Sequence, residues 1–283
     1  MGARPQVLER KGCNLAYWLH GRQGAPLVVL THGGMVDHRV WEPQLSALAP
    51  HYQVLLWDVR GHGQSRPGGR NRSIPQVADD LAALLDHLGQ QRAVLVGLSA
   101  GGWLVQEFAY RYPDRAIALV VAGQSSWLRP PFQARMAVSR WSVPFLLLSL
   151  LLPWKLFMRG FMRQGAAHAK PRTLAYLREA FGRWSKAEFI RHSWHARGLR
   201  LQPAYRFPQP LLIVHGEHEM GFVRKDAAAW AAREPRSRYV VVPGAGHVAN
   251  MDDPEAFNTV LLEFLATVDD QARPRSLRPT TGS

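Results

Sequence analysis

A serine between small residues in Gly97-Leu98-Ser99-Ala100-Gly101, a histidine ending the turn Pro243-Gly244-Ala245-Gly246-His247, and two glutamates at 217 and 219 are the groups in this chain whose types could do chemistry together. A serine hydroxyl is a weak nucleophile at neutral pH and needs an adjacent base, usually histidine, which in turn needs a carboxylate to orient it. The glycines and alanine around Ser99 permit a sharp strand-to-helix turn that presents the hydroxyl, and Gly102 allows close approach of the following helix. His247 is the best base, because two glycines precede it in a loop between a strand-like run and a helix. Glu219 is the expected orienting acid, with Glu217 as the alternative. Negative charge developing on a carbonyl oxygen requires backbone N–H donors. The Ala100 N–H at the start of the helix is one, and the loop Thr31-His32-Gly33-Gly34-Met35 offers Gly34 or Met35 as the other.

These residues are useful only if the elements around them bring them together. Residues 26–31 (PLVVLT), 53–57 (QVLLW) and 93–98 (AVLVGL) are continuous apolar runs, the pattern of strands covered on both faces. Ile117 to Ala122, Leu211 to His215 and Tyr239 to Val242 supply further strands. Ser73 is placed to cap a helix carrying Val77, Leu81, Leu84, Leu85 and Leu88 at helical spacing until Gly89. Ala100 to Tyr112, Val223 to Glu234 and Pro254 to Val268 also read as helices. This alternation predicts an α/β fold: a mostly parallel central sheet with helices on both faces, its chemistry at the carboxyl ends of the strands.

The stretch 125–207 breaks the rhythm. It is rich in Trp, Arg and Leu, contains no convincing strand, and is expected to form a helical cap inserted after the sixth strand. The core is then 1–124 and 208–268, with 269–283 a polar, disordered tail. Trp127, Phe145, Leu148 and Trp154 are the candidate walls of a substrate pocket beneath the cap. The apolar run 145–152 is too short to span a bilayer, which needs about 20 residues.

The formal net charge is +14. Between residues 125 and 207 lie fifteen Lys and Arg against only Glu179 and Glu188, a surplus of +13 that leaves the rest near neutral. Charge confined to one insert speaks for what approaches it: anionic lipid, an acidic substrate or nucleic acid. Nucleic acid ranks low, since no recognised binding motif accompanies the charge. The single cysteine, Cys13, excludes an internal disulfide framework. The first residues lack an apolar signal core, and Gln6 stands where myristoylation requires Ser or Thr, so a cytoplasmic location is expected. Neither a metal nor an organic cofactor is expected, as no HExxH, phosphate-binding glycine loop or cysteine cluster occurs.

Taken in order, the HGG at 32–34, the turn Asp58-Val59-Arg60-Gly61-His62-Gly63-Gln64-Ser65, the serine motif at 97–101, Gly216-Glu217-His218-Glu219 and the PGAGH ending at His247 resemble the lid-bearing α/β-hydrolase superfamily. The resemblance covers the chain outside the insert and tail. It implies that His32 and the 58–65 turn are mainly structural, and that the reaction is hydrolysis of a small, hydrophobic ester, thioester or lactone through an acyl-enzyme. A lipid-surface hydrolase, a C–C bond hydrolase and a perhydrolase share the same triad. A ligand sensor without turnover is a further alternative. The family usually carries Asp at the position of Glu219, so this chain needs a retracted loop to accommodate one more methylene.

Overall fold

The computed structural model describes residues 4–69, 72–126, 147, 150–193 and 204–272. An eight-stranded sheet is built from β1 (Gln6–Arg10), β2 (Cys13–Gly21), β3 (Leu27–Thr31), β4 (Gln53–Trp57), β5 (Ala93–Leu98), β6 (Ala116–Ala122), β7 (Leu211–Gly216) and β8 (Ser237–Val242), in the spatial order β1-β2-β4-β3-β5-β6-β7-β8. Strands β3 to β8 pair in parallel, as their continuous apolar text predicts. The first two strands escape a periodicity reading. They form an antiparallel hairpin with a two-residue turn at Lys11-Gly12, and β2 then pairs antiparallel with β4. Exposed β1 carries Gln6, Glu9 and Arg10 at this edge, so it lacks the apolar signature of the buried strands.

Each buried strand sends alternate residues to opposite faces. Leu27 and Val29 join one apolar cluster, with Leu55, Leu95 and Leu119, while Val28 and Leu30 join the other, with Val54, Leu56 and Val96. The first face is covered by α2 (Ile74–His87) and α3 (Ala100–Arg111), the second by α9 (Pro254–Ala272) through Phe257, Leu261 and Leu265. Full burial of each such aliphatic side chain contributes about 1.5–3 kcal/mol, which is why these runs hold to the sheet and dictate its register. Ser73 caps α2 as its position suggests, accepting from the Gln76 N–H. The other core helices are the short α1 (Glu42–Leu48), α7 (Gly221–Ala231) and α8 (Ala249–Asp252).

One boundary differs from expectation. Helix α9 runs to Ala272, so residues 269–272 complete a helix rather than begin the tail, and Tyr52 Oη donates to Asp269 Oδ2 at 2.8 Å across to the core. Residues 273–283 lie outside the described residues. Within 125–207 the described residues include three helices: α4 (Trp154–Gly165), α5 (Pro171–Gly182) and α6 (Lys186–Ser193). Phe157, Trp184 and Phe189 of this segment bury against Met35 of the core.

Candidate active site

Ser99 follows β5 directly, and its backbone (φ 52°, ψ −119°) lies where side chains are rarely tolerated. Its N–H donates to Ala122 O at 2.8 Å, and its own carbonyl accepts from Gly102 N–H at 2.8 Å, so the turn is tied to both the neighbouring strand and the helix it starts. Such a conformation costs on the order of 1–3 kcal/mol and persists only where its surroundings enforce it. The glycines do that. A Cβ on Gly97 would collide with the carbonyl of Gly101, and one on Gly101 with the carbonyls of Thr31 and His32. Strand β3, strand β5 and helix α3 can therefore close around Ser99 only with glycine at both positions.

Next to this turn, at the end of β6, Gly123 has a positive φ of 59°, and its N–H donates to Val214 O. A Cβ there would stand 3.0 Å from Glu219 Oε2 and 3.3 Å from His247 Nδ1. Glu219 and His247 thus sit over the strand end adjacent to the one that carries Ser99. His247 Nδ1 meets both carboxylate oxygens of Glu219, at 2.9 and 2.8 Å. Glu219 is buried, and its Oε1 also accepts the Met220 N–H at 2.8 Å. Burial opposes protonation of His247, but attraction to the Glu219 carboxylate and its hydrogen bond outweigh this, with Asp252 adding to them, and the imidazole pKa lies above its ordinary value. The alternative acid, Glu217, is exposed and accepts from Gly244 N–H at 2.8 Å, which shapes the loop before His247 without touching the ring.

Glu219 is positioned by a tight turn after β7. Glu217 N–H donates to Val242 O and His218 N–H to Ala245 O, and Glu219 N–H closes back on Gly216 O. The 219 side chain is thereby drawn down beside the imidazole.

A Cβ on Gly33 would lie 3.2 Å from Ser99 Cβ, which places the loop at Gly33 against the serine. His32 anchors this loop. Its Nε2 accepts the Val59 N–H at 2.9 Å, so its Nδ1 carries the proton donated to Gly33 O at 2.7 Å. The 58–65 turn is likewise held internally: Asp58 accepts from His38 and from Gln64 N–H, and Ser65 Oγ donates to Asp58 O. Met35 adopts φ 65° and is buried, and Ala100 begins α3 beside Ser99. The backbones of Gly33 and Ala100 therefore adjoin the serine.

Several residues around this cluster carry no motif. Asp252 accepts the Gly246 N–H at 2.9 Å through one oxygen and the Lys170 N–H at 2.9 Å through the other, pinning the His247 loop to the connection before α5. Tyr176 of α5 bonds Asp37 N–H at 3.1 Å, and Arg39 pairs with Glu179 at 2.9 Å, so the Met35 loop is fastened to α5 as well. Trp184 is buried between His62, 5.0 Å away edge-on, and Arg66, whose guanidinium lies 4.8 Å over the indole. In the sequence, Trp184 stands out only as one of the five tryptophans between residues 125 and 207.

Of the expected pocket walls, Trp127, Phe145 and Leu148 lie outside the described residues. Trp154 donates its indole N–H to Trp184 O at 2.9 Å and stacks on Phe157. It borders a groove of about 830 Å³ between α4 and α5 whose lining includes neither Ser99 nor His247.

A parallel sheet with this elbow after β5 defines a class that sequence comparison makes definite. The profile of the alpha/beta hydrolase family matches residues 28–260, and the chain belongs to that family. A bifunctional esterase/perhydrolase of Acinetobacter calcoaceticus is 26% identical over 275 residues, covering 92% of this chain and 98% of that protein. Among solved structures, a hydrolase from Pseudomonas aeruginosa PA01 is similar with a TM-score of 0.71 at 30% identity, covering 92% of this chain and 98% of that one. The enol-lactonase from Burkholderia xenovorans LB400 aligns with a TM-score of 0.77 at 25% identity, covering 92% and 100%.

Proposed function

We propose that this protein hydrolyses hydrophobic carboxylic esters or lactones through a Ser99–His247–Glu219 triad and a covalent acyl-enzyme. The observation that carries the reading is the double contact of buried Glu219 with His247 Nδ1, at 2.8 and 2.9 Å, beside the strained turn that presents Ser99. With its Nδ1–H held by the carboxylate, the imidazole is left with a basic Nε2. Ser99 Oγ adds to the substrate carbonyl carbon while Nε2 takes its proton. The resulting oxyanion accepts from the Ala100 N–H and from Gly34 or Met35 N–H. Collapse expels the alcohol, protonated by His247, and leaves acyl-Ser99. Water, deprotonated by the same imidazole, then releases the acid. Backbone donors of this kind are typically worth about 10² to 10³ in rate each. The esterase/perhydrolase and enol-lactonase relatives support an ester or lactone as the bond attacked.

The test is covalent labelling by a fluorophosphonate followed by peptide mapping. Label on Ser99, lost in Ser99→Ala together with hydrolysis of p-nitrophenyl esters, is the expected result. Folded protein that stays unlabelled, or a Ser99→Ala variant that still turns over, rejects the triad. A series of esters of increasing acyl length then defines the substrate size.

A further inference from the structure

Helix α4 carries Lys155, Arg159 and Arg163 four residues apart, which aligns them in one stripe along its surface. All three are exposed. None makes an ion pair among the described residues, and the two acids of the 125–207 segment are engaged elsewhere. Glu179 pairs with Arg39 and Arg183, and Glu188 pairs with Arg66 and caps Ser185. Near the stripe in the chain lie apolar side chains that are exposed among the described residues. Leu156 is exposed on the same helix, and just before it Leu150 and Leu151 stand in solvent, Leu151 at 81%. This stretch is not loose chain: Lys186 Nζ donates to the carbonyls of Leu150 and Leu152, fastening it to α6. Meanwhile Phe157 and Phe161, on the opposite side of α4, pack into the aromatic layer over Met35. The helix thus turns Phe157 and Phe161 inward, while the three exposed cations border the open groove between α4 and α5 and Leu156 is exposed on the same helix.

We infer that this outer face of α4 docks on an anionic phospholipid surface, the cations meeting headgroup phosphates while Leu150, Leu151 and Leu156 enter the acyl boundary. Cations alone would suit any polyanion. Exposed leucines together with cations that make no ion pair among the described residues suit a boundary that is charged outside and apolar beneath, as at an interfacial helix. Among the described residues no helix is long and apolar enough to cross a membrane. The inference goes beyond the hydrolase reading and does not depend on it, because binding is scored without turnover.

The experiment is co-sedimentation of the full chain with vesicles of phosphatidylcholine alone and with vesicles in which a third of the lipid is phosphatidylglycerol. The protein is expected to bind only the latter and to be released by salt. Neutralising Lys155, Arg159 and Arg163 together as Gln should weaken partitioning on the order of 100-fold, and each single change about fivefold. Replacing Leu150, Leu151 and Leu156 by Ser should weaken it as well and should leave the residual binding more sensitive to salt. The single variants decide the matter if a triple variant melts differently from the parent. Equal binding to both vesicles, or unchanged binding of the neutralised variants, overturns the inference. So does unchanged vesicle binding by the leucine variant together with equally strong binding of duplex DNA, which would make the face a general polyanion surface.

Discussion

Replacing Glu219 by Gln keeps the size of the side chain and removes its charge, and the consequence follows from the geometry. In the parent, both carboxylate oxygens lie within 2.9 Å of His247 Nδ1. In the proposed mechanism, that arrangement holds the proton on Nδ1 and lowers the energy of the imidazolium formed when Ser99 is deprotonated. At roughly 4 Å between charge centres and an effective dielectric of about 20, the attraction amounts to ~4 kcal/mol, or on the order of 10³ in rate. A glutamine can also donate N–H to Nδ1, moving the ring proton to Nε2, the nitrogen that must accept from serine. Tautomer loss of this type brings the fall in kcat toward about 10⁴ in the chymotrypsin-like case. The assay is kcat/KM for a p-nitrophenyl ester against pH, with the rate of fluorophosphonate labelling alongside. Because the carboxylate holds the His247 pKa above its ordinary 6.5, the acid limb of the parent profile should lie above that value and move to lower pH in the variant. Glu217→Gln is the control. Its carboxylate touches Gly244 N–H rather than the ring, so it should change kcat/KM less than about fivefold. A folded Glu219→Gln protein within tenfold of the parent, alongside a Glu217→Gln protein that is nearly inactive, would refute the assignment of the acid.

Gly97→Ala places a methyl against the Gly101 carbonyl and should destabilise the fold by at least about 2 kcal/mol, read from urea unfolding, with loss of labelling at Ser99. Trp184→Ala empties a buried site shared with Met35, His62 and Arg66 and should cost about 3–5 kcal/mol; an unchanged unfolding midpoint would show that the aromatic layer contributes nothing. Asp80→Asn should cost about 3–5 kcal/mol, because Arg60, itself buried, meets the Asp80 carboxylate at 2.6 and 2.7 Å and would be left without its counter-charge. The His247–Glu219 pair also has a signature in stability. Since the folded pKa of His247 is raised, its contribution is complete below about pH 6.5 and fades as pH rises through the folded value. The stability difference between parent and Glu219→Gln should therefore be largest in mild acid and shrink toward pH 9; a difference that grows with pH contradicts the raised value.

Features legible in the chain before folding are local and periodic. Continuous apolar runs at 27–31, 53–57 and 93–98 report burial on both faces, since a parallel sheet has no wet side, and the structure shows those residues dividing alternately between two clusters. The glycines around Ser99 were legible because only a backbone in close contact requires them. The hairpin of β1 and β2 was not legible. Its outer strand is exposed and polar, and its membership in the sheet comes from pairing with β4, a partner about 40 residues away. The choice between Glu217 and Glu219 as partner of His247 likewise belonged to tertiary structure. Two residues apart in one loop, they differ in chemistry only because hydrogen bonds to Val242 and Ala245 turn one carboxylate inward to the imidazole and leave the other in solvent. Side-chain type is written in the chain. Which side chain loses its water, and against what, is decided only when distant strands close on one another.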